Sequence, residues 1–483
     1  MAQGVTIVGL GPGSPDLLTK EAWDLLTSCP EVWVRTARHP TVESLPKIAW
    51  RSFDAVYEEE GRFSDVYRRI AEKVLELARR PEGVVYAVPG DPRMGEAVTG
   101  LVLEGAREER LDARILSGVS FLEPTLQLLG LDGLSQLFIA DAVELASLHH
   151  PPFPPSAHGL IAQLYSAGVA SDVKLVLMNQ YPESHPVRLV QSAGTSQARV
   201  QDLPLFEIDR RKDLDHLSTL YVPPLPSSSL EGLQETVAHL RAPEGCPWDR
   251  EQTHQSLRAN LQEEAYEVLE ALDLEDSSAL REELGDLLLE IVLQAQIATE
   301  AGEFRMVDVV RGIEEKLHRR HPHVFGSVQV EGVGEVLRNW EEIKAGERAE
   351  RGEAQSGALN GVSPGLPALL QAYLYQQRAA RVGFDWTSIE GVEQKVEEEL
   401  HEVQLATTPG ERSGEVGDLI FAAVNLARWL GADPESALRE SSRRFRKRFE
   451  IMEAEAKSRG TSLGHLGPER LDELWEAAKR SVP

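Results

Sequence analysis

Paired carboxylates are the residues of this sequence whose spacing most clearly allows chemistry. Glu264 and Glu267 are three residues apart, and so are Glu283 and Asp286 further along the chain. Side chains three residues apart on a helix lie on one face, so two neighbouring helices could direct these four carboxylates at one point. Oxygen ligands of this kind suit Mg²⁺ or Mn²⁺. The pattern therefore predicts a divalent-cation site.

The same pattern occurs a second time in the chain. Glu399 and Glu402 form one pair, and Glu415 and Asp418 form the other. A single pair in so acidic a chain would be interpreted as a solvated surface. Three features favour the metal site: the duplication, the core-type residues around the pairs, and a glycine inside each second pair, where glycine costs about 1 kcal/mol of helix stability.

Basic and aromatic residues follow each set of carboxylates. Each copy has two basic residues four positions apart, then a tryptophan and a lysine: Lys316, Arg320, Trp340 and Lys344 in the first copy, and Arg444, Arg448, Trp475 and Lys479 in the second. A cation pair on one face can bind a polyphosphate, and a tryptophan can stack on a base. The alternative is an exposed basic helix beside a core tryptophan.

The elements that must position these residues are helices. Apolar residues at helical spacing predict three long ones: Leu257–Leu272, Ala279–Ala301 and Met306–Arg320. Two pairs of segments repeat at offsets of 135 and 132 residues: Asn260–Leu272 with Lys395–Ala406, and Leu280–Val292 with Arg412–Val424. This repeat indicates a duplicated helical module, with one domain at 230–345, a weak Gly- and Glu-rich stretch at Gly346–Pro367, and a second domain at 366–480.

The first half of the chain has a different pattern. Short apolar runs predict strands, among them Val5–Val8, Val84–Val88 and Val173–Met178. A helix is predicted over Leu17–Ser28. Alternating strands and helices are typical of an α/β architecture with a largely parallel sheet, here in two lobes over residues 1–225. The Pro- and Ser-rich segment Val222–Ser229 predicts a linker after it.

Composition narrows the class of protein. The 483 residues include 50 Lys plus Arg against 78 Asp plus Glu, for a formal charge of −28. So acidic a surface disfavours nucleic-acid polymers and anionic membranes as partners. The two cysteines exclude a disulfide scaffold and a Cys-rich zinc array. Because no run approaches about 18 apolar residues and the N-terminus lacks signal-peptide features, we expect a cytoplasmic protein.

A glycine-rich loop, Gly9-Leu-Gly-Pro-Gly13, follows the first predicted strand. Ser14 stands where the dinucleotide fingerprint needs its third glycine, and no Gly-Lys-Ser/Thr follows as in a phosphate-binding P-loop. On its own the loop is consistent with a ligand site or with a plain tight turn.

The helical half resembles the MazG family of nucleoside triphosphate pyrophosphohydrolases. The motifs that carry this resemblance are Glu263–Glu267 and Glu398–Glu402 (EExxE), Glu283–Asp286 and Glu415–Asp418 (ExxD), Cys246–Asp249, Arg319–Phe325, Gly383–Trp386 and Asn425–Gly431. The resemblance implies an all-α fold, a homo-oligomer, and Mg²⁺-dependent hydrolysis of a nucleoside triphosphate to the monophosphate and pyrophosphate.

Within this resemblance, Glu263 and Glu398 flank the expected ligands, and we predict that they orient the attacking water. Asn425 joins the expected nucleotide-binding residues of the second copy, whereas the first copy has Leu293 at the aligned position. The second copy has Arg444 where the family pattern favours Lys. We expect the second copy to be active and leave the first open.

The N-terminal half resembles the tetrapyrrole (corrin/porphyrin) methylase family. Its matching segments are Gly9–Leu26, Val88–Pro92 and Ser117–Ser120, and two more, Arg35–Pro40 and Ser52–Tyr57, narrow the resemblance to YabN-type proteins, which fuse this domain to MazG modules. The resemblance implies an S-adenosylmethionine site between two lobes, with these residues in it: Gly9, Gly11, Pro12, Gly13, Gly90, Asp91, Ser120 and Met178. Ser117 departs from the usual proline, and the methyl acceptor cannot be inferred.

Three functions are consistent with the sequence. The first is a pyrophosphohydrolase fused to a methyltransferase domain, the second a methyltransferase whose helical half only senses nucleotides, and the third a non-enzymatic scaffold that binds divalent ions or a partner. The duplicated carboxylates with matching cations favour the first.

Overall fold

The structure is a computed structural model that describes residues 3–45, 47–59, 63–226, 229–350 and 357–482. It divides into two compact units, Met1–Thr236 and Val237–Pro483. Residues 227–228 of the predicted linker and residues 351–356 of the weak stretch Gly346–Pro367 lie outside the described residues. The finer domain bounds 1–225, 230–345 and 366–480 stay predictions.

The first unit begins with a five-stranded sheet of order β3-β2-β4-β1-β5 in which every pairing is parallel. Its strands are β1 (Gly4–Gly9), β2 (Val32–Val34), β3 (Trp50–Ser52), β4 (Val84–Val88) and β5 (Asp112–Leu116). Val5 and Ile7 of β1 pack into one hydrophobic cluster and Val8 into another on the opposite face. Because helices cover both faces, the central strands are apolar throughout, and the carboxyl ends of β1, β4 and β5 share one edge.

The second sheet of this unit has the order β6-β7-β10-β8-β9. Its strands are β6 (Leu137–Asp141), β7 (His158–Ala162), β8 (Pro186–Gln191), β9 (Arg199–Pro204) and β10 (Ser218–Val222). Only β6 and β7 pair in parallel; the other pairings are antiparallel. The expected largely parallel arrangement is therefore right for the first sheet and wrong for the second. For β8 and β9 the reason is their short connection, which permits only antiparallel pairing.

Eight helices are described in the first unit before its last strand. They are α1 (Lys20–Ser28), α2 (Pro40–Ser44), α3 (Asp54–Glu59), α4 (Phe63–Ala78), α5 (Ala97–Glu108), α6 (Leu122–Leu129), α7 (Ala142–Ala146) and α8 (Ala167–Leu177). The predicted strand Val173–Met178 is wrong, because this segment completes α8. The Ser166 side chain caps that helix, and its buried residues recur at helical spacing: Ala170, Val173, Val176 and Leu177.

From residue 230 onward the described chain is helical. Its helices are α9 (Leu230–Arg241), α10 (Pro247–Glu251), α11 (Arg258–Asp273), α12 (Ser277–Ala301), α13 (Met306–Arg320), α14 (Pro322–Phe325), α15 (Val333–Glu350), α16 (Ala368–Arg381), α17 (Ile389–Leu405), α18 (Pro409–Trp429), α19 (Pro434–Ser458) and α20 (Pro468–Ser481). The predicted α/β first half and all-α second half are confirmed. Among the described residues, no helix is both long and apolar enough to cross a membrane.

Candidate functional site

Helices α11 and α12 bring three predicted carboxylates of the first copy, here called module 1, close together. The carboxylate group of module 1 consists of Glu264, Glu267 and Glu283, and one oxygen of each lies within 4.8 Å of the others. A short turn joins the two helices, and the Asp276 side chain fixes the start of α12 by accepting hydrogen bonds from two backbone amides of its first turn. Local capping thus fixes the residue at which α12 begins.

The electrostatics of this group favour a bound cation. Partial burial and the charges of Glu267 and Asp286 raise the pKa of Glu264. Partial burial and the charge of Glu267 also raise the pKa of Glu283. Asp286 is not a member of the 4.8 Å group, although it acts on it through charge. A divalent cation would relieve this mutual repulsion.

Module 2, the second copy, has an equivalent group on α17 and α18. Glu399, Glu402 and Glu415 each place one oxygen within 4.8 Å of the others. Glu399 is only 6% exposed, and its Oε2 atom is buried without a hydrogen-bond partner. Partial burial and the charges of Glu402 and Asp418 raise the pKa of Glu415. Hard carboxylate donors and an unsatisfied buried oxygen fit Mg²⁺ or Mn²⁺.

A lysine that the sequence analysis did not single out forms an ion pair with the carboxylate group of module 2. Lys395 Nζ is 2.8 Å from Glu399 Oε1 and 2.9 Å from Glu398 Oε1, so the residue predicted to orient water is held in an ion pair. These hydrogen bonds raise the pKa of Lys395. Module 1 has Asn260 at the corresponding position. Aligning the two copies residue by residue would have revealed this difference.

The basic and aromatic residues of module 1 lie on α13 and α15. Lys344 Nζ is 4.7 Å from the ring centre of Trp340. Arg320 Nη2 is 2.6 Å from Glu347 Oε2, and hydrogen bonds from Arg320 and the preceding arginine lower the pKa of Glu347 to about 2. Lys316 lies on the exposed surface of α13. Lys344 thus lies against the Trp340 ring, as the predicted site requires. Arg320 is instead paired with a carboxylate of the protein itself, that of Glu347.

Module 2 gathers its basic and aromatic residues at the contact of α19 with α20. The Arg448 guanidinium and the Lys479 ammonium lie 5.7 Å and 5.9 Å from the ring centre of Trp475. Arg444, one turn before Arg448, pairs with Glu440 at 2.5 Å. A cationic surface beside an indole ring is consistent with the predicted binding of polyphosphate and base.

Two sequence motifs of module 2, Gly383–Trp386 and Asn425–Gly431, are joined by hydrogen bonds. Asp385 accepts hydrogen bonds from Arg428 Nη1 at 3.0 Å and from Trp429 Nε1 at 3.2 Å. The same arginine donates from Nε to Asn425 Oδ1 at 3.0 Å. Hydrogen bonding from Arg428 lowers the pKa of Asp385. These contacts attach the loop before α17 to α18 and orient the predicted nucleotide-binding amide.

In the first unit, three glycine-containing loops meet at the carboxyl edge of the first sheet. Gly11 and Gly90 exchange backbone hydrogen bonds of 3.2 and 2.8 Å. A Cβ at Gly118 would lie 2.4 Å from Gly90 O, and one at Gly9 would lie 2.8 Å from Gly118 Cα. The Asp91 carboxylate accepts a 2.9 Å hydrogen bond from the Gly118 amide. Only residues without a side chain allow this contact.

The remaining residues of the predicted cofactor site have different surroundings. A Cβ at Gly194 would lie 2.4 Å from Pro12 Cγ, and one at Gly13 would lie 2.6 Å from Thr195 Cγ2, so this part of the loop packs against the second lobe. Ser120 is buried, and its hydroxyl donates a 2.7 Å hydrogen bond to a glutamate at the start of α6.

The assignment of Met178 to this site, which the family resemblance implies, stays a prediction. Met178 is the C-cap of helix α8 and does not follow a strand. The residue that does follow β7 is Gln163, which has a φ of 61°. Its Nε2 atom would lie 3.4 Å from a Cβ at Gly95, in the loop after β4. The sequence analysis predicted no strand at β7 and therefore did not single out Gln163.

Comparison with known proteins agrees with both halves of this description. A family model described as MazG nucleotide pyrophosphohydrolase domain matches residues 252–325, and one described as Tetrapyrrole (Corrin/Porphyrin) Methylases matches residues 4–209. The chain is 40% identical to the uncharacterized protein YabN of Bacillus subtilis over 496 residues, covering 100% of this chain and 99% of that protein.

Two further likenesses cover part of the chain. It is 48% identical over 249 residues to the nucleoside triphosphate pyrophosphohydrolase/pyrophosphatase MazG of Thermotoga maritima, covering 52% of this chain and 95% of that protein. It is also similar to the crystal structure of uroporphyrin-III-C-methyltransferase from Thermus thermophilus, with a TM-score of 0.36 and 20% identity over 46% of this chain and 93% of that one.

The fold and site therefore define an enzyme with a tetrapyrrole methylase domain followed by a MazG nucleotide pyrophosphohydrolase region. Because the likeness to the Bacillus subtilis protein extends over the full length, the chain belongs to the family of YabN-type proteins.

Proposed function

We propose that the helical unit hydrolyses nucleoside triphosphates to the monophosphate and pyrophosphate with Mg²⁺ or Mn²⁺. The observation that carries this proposal is the duplicated carboxylate group, three oxygens within 4.8 Å of one another in each module. The likeness to the Thermotoga maritima pyrophosphohydrolase supports the reaction class.

The carboxylate groups would hold the cation. The proposed metal ligands are Glu264, Glu267, Glu283 and Asp286 in module 1 and Glu399, Glu402, Glu415 and Asp418 in module 2. When bound, the cation would neutralise phosphate oxygens and lower the pKa of a water. The protein's own contribution is to fix the donors on two packed helices, so that little reorganisation remains when substrate arrives.

The basic and aromatic residues would orient the triphosphate. In module 2, Arg448 and Lys479 beside Trp475 provide a cationic surface next to a ring that can stack on a base. Glu263 and Glu398 are proposed to orient the attacking water at the α-phosphorus. Glu398 is held by Lys395, so in this role it would exchange its lysine partner for water.

The experiment is a pyrophosphate-release assay on a panel of triphosphates, with and without Mg²⁺, using the full chain. We expect Glu402→Ala to abolish most of the activity and Glu267→Ala in module 1 to leave most of it. The double variant should be inactive. Full activity in the double variant would refute the metal assignment, and loss of activity only in Glu267→Ala would transfer the chemistry to module 1.

For the N-terminal unit we propose S-adenosylmethionine binding at the meeting point of the glycine loops. The close contact of Gly9, Gly90 and Gly118 supports a backbone-lined cradle. Methyl transfer needs mainly proximity, because the sulfonium is already activated, and no catalytic residue is named. Calorimetric titration with S-adenosylmethionine tests this; no binding at millimolar ligand would overturn it.

We include a cytoplasmic homo-oligomer in the proposal, with small-molecule nucleotides as the partners. The formal charge of −28 supports small anions bound at local cationic surfaces over nucleic-acid polymers or membranes. Sedimentation analysis of the full chain would test the oligomer.

A further inference from the structure

Module 1 contains a buried carboxylate that the proposed mechanism does not use. Glu290, on α12, is 6% exposed, and its Oε2 atom is buried without a hydrogen-bond partner. Leu293, about one turn later on the same face of α12, is a buried apolar side chain. An unpaired carboxylate in such surroundings is costly unless it is protonated, paired, or close to a bound cation.

Helical spacing places Glu290 on the same face of α12 as two proposed ligands of module 1. Glu290 follows Glu283 by seven residues and Asp286 by four, so the three side chains lie on one face of α12. Its charge is one of those that raise the pKa of Glu264, across the contact on α11. Glu290 therefore adds negative charge to the carboxylate group of module 1 from the buried end of α12.

Module 2 is built differently at the corresponding positions. Ala422 takes the place of Glu290, 132 residues later, so this carboxylate is missing. Lys395 takes the place of Asn260 and puts an ammonium 2.8 Å from Glu399. Compared with module 2, module 1 thus has one more carboxylate and one fewer cation near its group, and its charge is less compensated from within the protein.

We propose that Glu290 is a further carboxylate of the module 1 cation site, and that it gives this module a higher affinity for a divalent cation than module 2. The inference rests on the proposed function, since it assumes that the carboxylate groups hold a metal. A buried oxygen without a partner gains its missing interaction when the cation binds. In module 2 the ammonium of Lys395 already compensates part of the charge, so a metal ion alone gains less there.

The experiment is a titration of the full chain with Mn²⁺, with free Mn²⁺ measured by electron paramagnetic resonance and no nucleotide present. The double variant Glu402→Gln/Glu415→Gln disables module 2 and leaves module 1 to be measured. In this background we expect Glu290→Gln to weaken Mn²⁺ binding about tenfold or more, as the loss of a supporting carboxylate does at other metal sites. Glu314→Gln, an equal charge change on the exposed surface of α13, should leave the affinity unchanged.

A reciprocal variant tests the comparison between the modules. With module 1 disabled by Glu267→Gln/Glu283→Gln, Mn²⁺ should bind more weakly than in the first background, and Ala422→Glu should tighten it. Because Ala422 is buried, this variant is used only if its circular dichroism matches that of the parent; Glu290→Gln, nearly isosteric, decides the inference without it.

A second readout separates metal binding from packing. In EDTA, Glu290→Gln should unfold at a higher temperature than the parent, because it removes a buried charge that then has no cation. Equal Mn²⁺ affinity in the parent and Glu290→Gln would overturn the inference and leave the proposed function standing. Absence of Mn²⁺ binding in both backgrounds would overturn both proposals.

Discussion

At the scale of single residues, arginines determine much of the geometry near the site. Arg428 contacts Asp385, and it also orients the side-chain oxygen of Asn425. A planar guanidinium can make these bonds at once, whereas an ammonium is a point charge on a flexible stem. The position of the Asn425 side chain therefore depends on the guanidinium of Arg428, and a positive charge alone would not fix it.

Replacing Arg428 by lysine tests this role. We expect Arg428→Lys to destabilise module 2 by about 1–2 kcal/mol, the range of a lost charge-assisted hydrogen bond, and to raise the KM for triphosphate more than it lowers kcat. Steady-state kinetics and thermal unfolding would measure both. Arg446→Lys, in an exposed pair with Glu450 on α19, is the matched control and should change neither. If Arg428→Lys and Arg446→Lys had equal effects, the proposed role of Arg428 in positioning Asn425 would be contradicted.

Glu347 permits a prediction with a defined pH range. Hydrogen bonds from Arg320 and its neighbour lower its pKa from the ordinary 4.5 to about 2. Since the folded-state pKa is depressed, this carboxylate stabilises the fold fully above about pH 5 and loses that contribution as the pH falls towards 2. Glu347→Gln should therefore weaken the contact of α13 with α15 by about 1–2 kcal/mol at pH 7, and by less as the pH is lowered.

Amide hydrogen exchange of α13 and α15 in the full chain measures this effect. The parent and Glu347→Gln are compared at the same pH, so that the intrinsic exchange rate cancels. Their difference in protection should be largest near pH 7 and smallest near pH 3. A difference that does not depend on pH would mean that packing, and not charge, holds the two helices together.

At the scale of elements, a glycine of the loops and a glycine of helix α5 should respond in opposite ways to an added methyl group. A Cβ at Gly118 would meet the Gly90 carbonyl oxygen at 2.4 Å, whereas one at Gly100, inside α5, has no atom within 4 Å. Gly118→Ala must displace backbone and should destabilise the first unit by about 1–3 kcal/mol. Gly100→Ala should stabilise it by about 0.5–1 kcal/mol, since alanine favours the helix.

Thermal unfolding and calorimetric titration with S-adenosylmethionine check this pair. We expect Gly118→Ala to weaken binding, because the two loops that it separates belong to the proposed cradle, and Gly100→Ala to leave the affinity unchanged. Normal S-adenosylmethionine affinity in a folded Gly118→Ala variant would argue that the ligand binds elsewhere.

The elements also show how far the sequence could be interpreted. The helix Met306–Arg320 has the predicted bounds, because its apolar period and the cationic residues at its end agree. Val173–Met178 failed because a short apolar run is compatible with a buried strand and with a buried helix. The cap at Ser166 was the local signal that favours the helix. Tertiary contact in the second lobe, and not the run itself, decided between them.

The candidate site was also predictable from the sequence only in part. Spacing alone predicted that the carboxylates of two neighbouring helices converge, and three of the four in each module do so, on α11 and α12 and on α17 and α18. It could not predict that Glu290 is buried, because one glutamate in an apolar stretch does not reveal which way the helix faces. Nor did it reveal Lys395, whose role depends on the rotamer that carries its ammonium to Glu399.

At the scale of the whole molecule, the chain joins two units of different architecture. The α/β unit contains the hydrophobic clusters of two sheets, and the helical unit has its own, around Met452, Leu474 and Ala478. Within the helical unit, Arg241 at the end of α9 also binds Glu300 on α12 at 2.8 Å. Each unit therefore has the internal contacts needed to unfold as a cooperative body.

Calorimetry of the full chain should consequently show two unfolding transitions that respond to different ligands. A ligand that binds only the folded form of one unit raises that unit's transition by mass action, by about 2.7 kcal/mol at a hundred times its Kd. S-adenosylmethionine should shift the transition of the α/β unit, and Mn²⁺ that of the helical unit. Glu267→Gln/Glu402→Gln should reduce only the Mn²⁺ response, and Gly118→Ala only the response to S-adenosylmethionine. A single transition that both ligands shift equally would mean that the two architectures unfold as one, and that the proposed sites cannot be assigned to separate units.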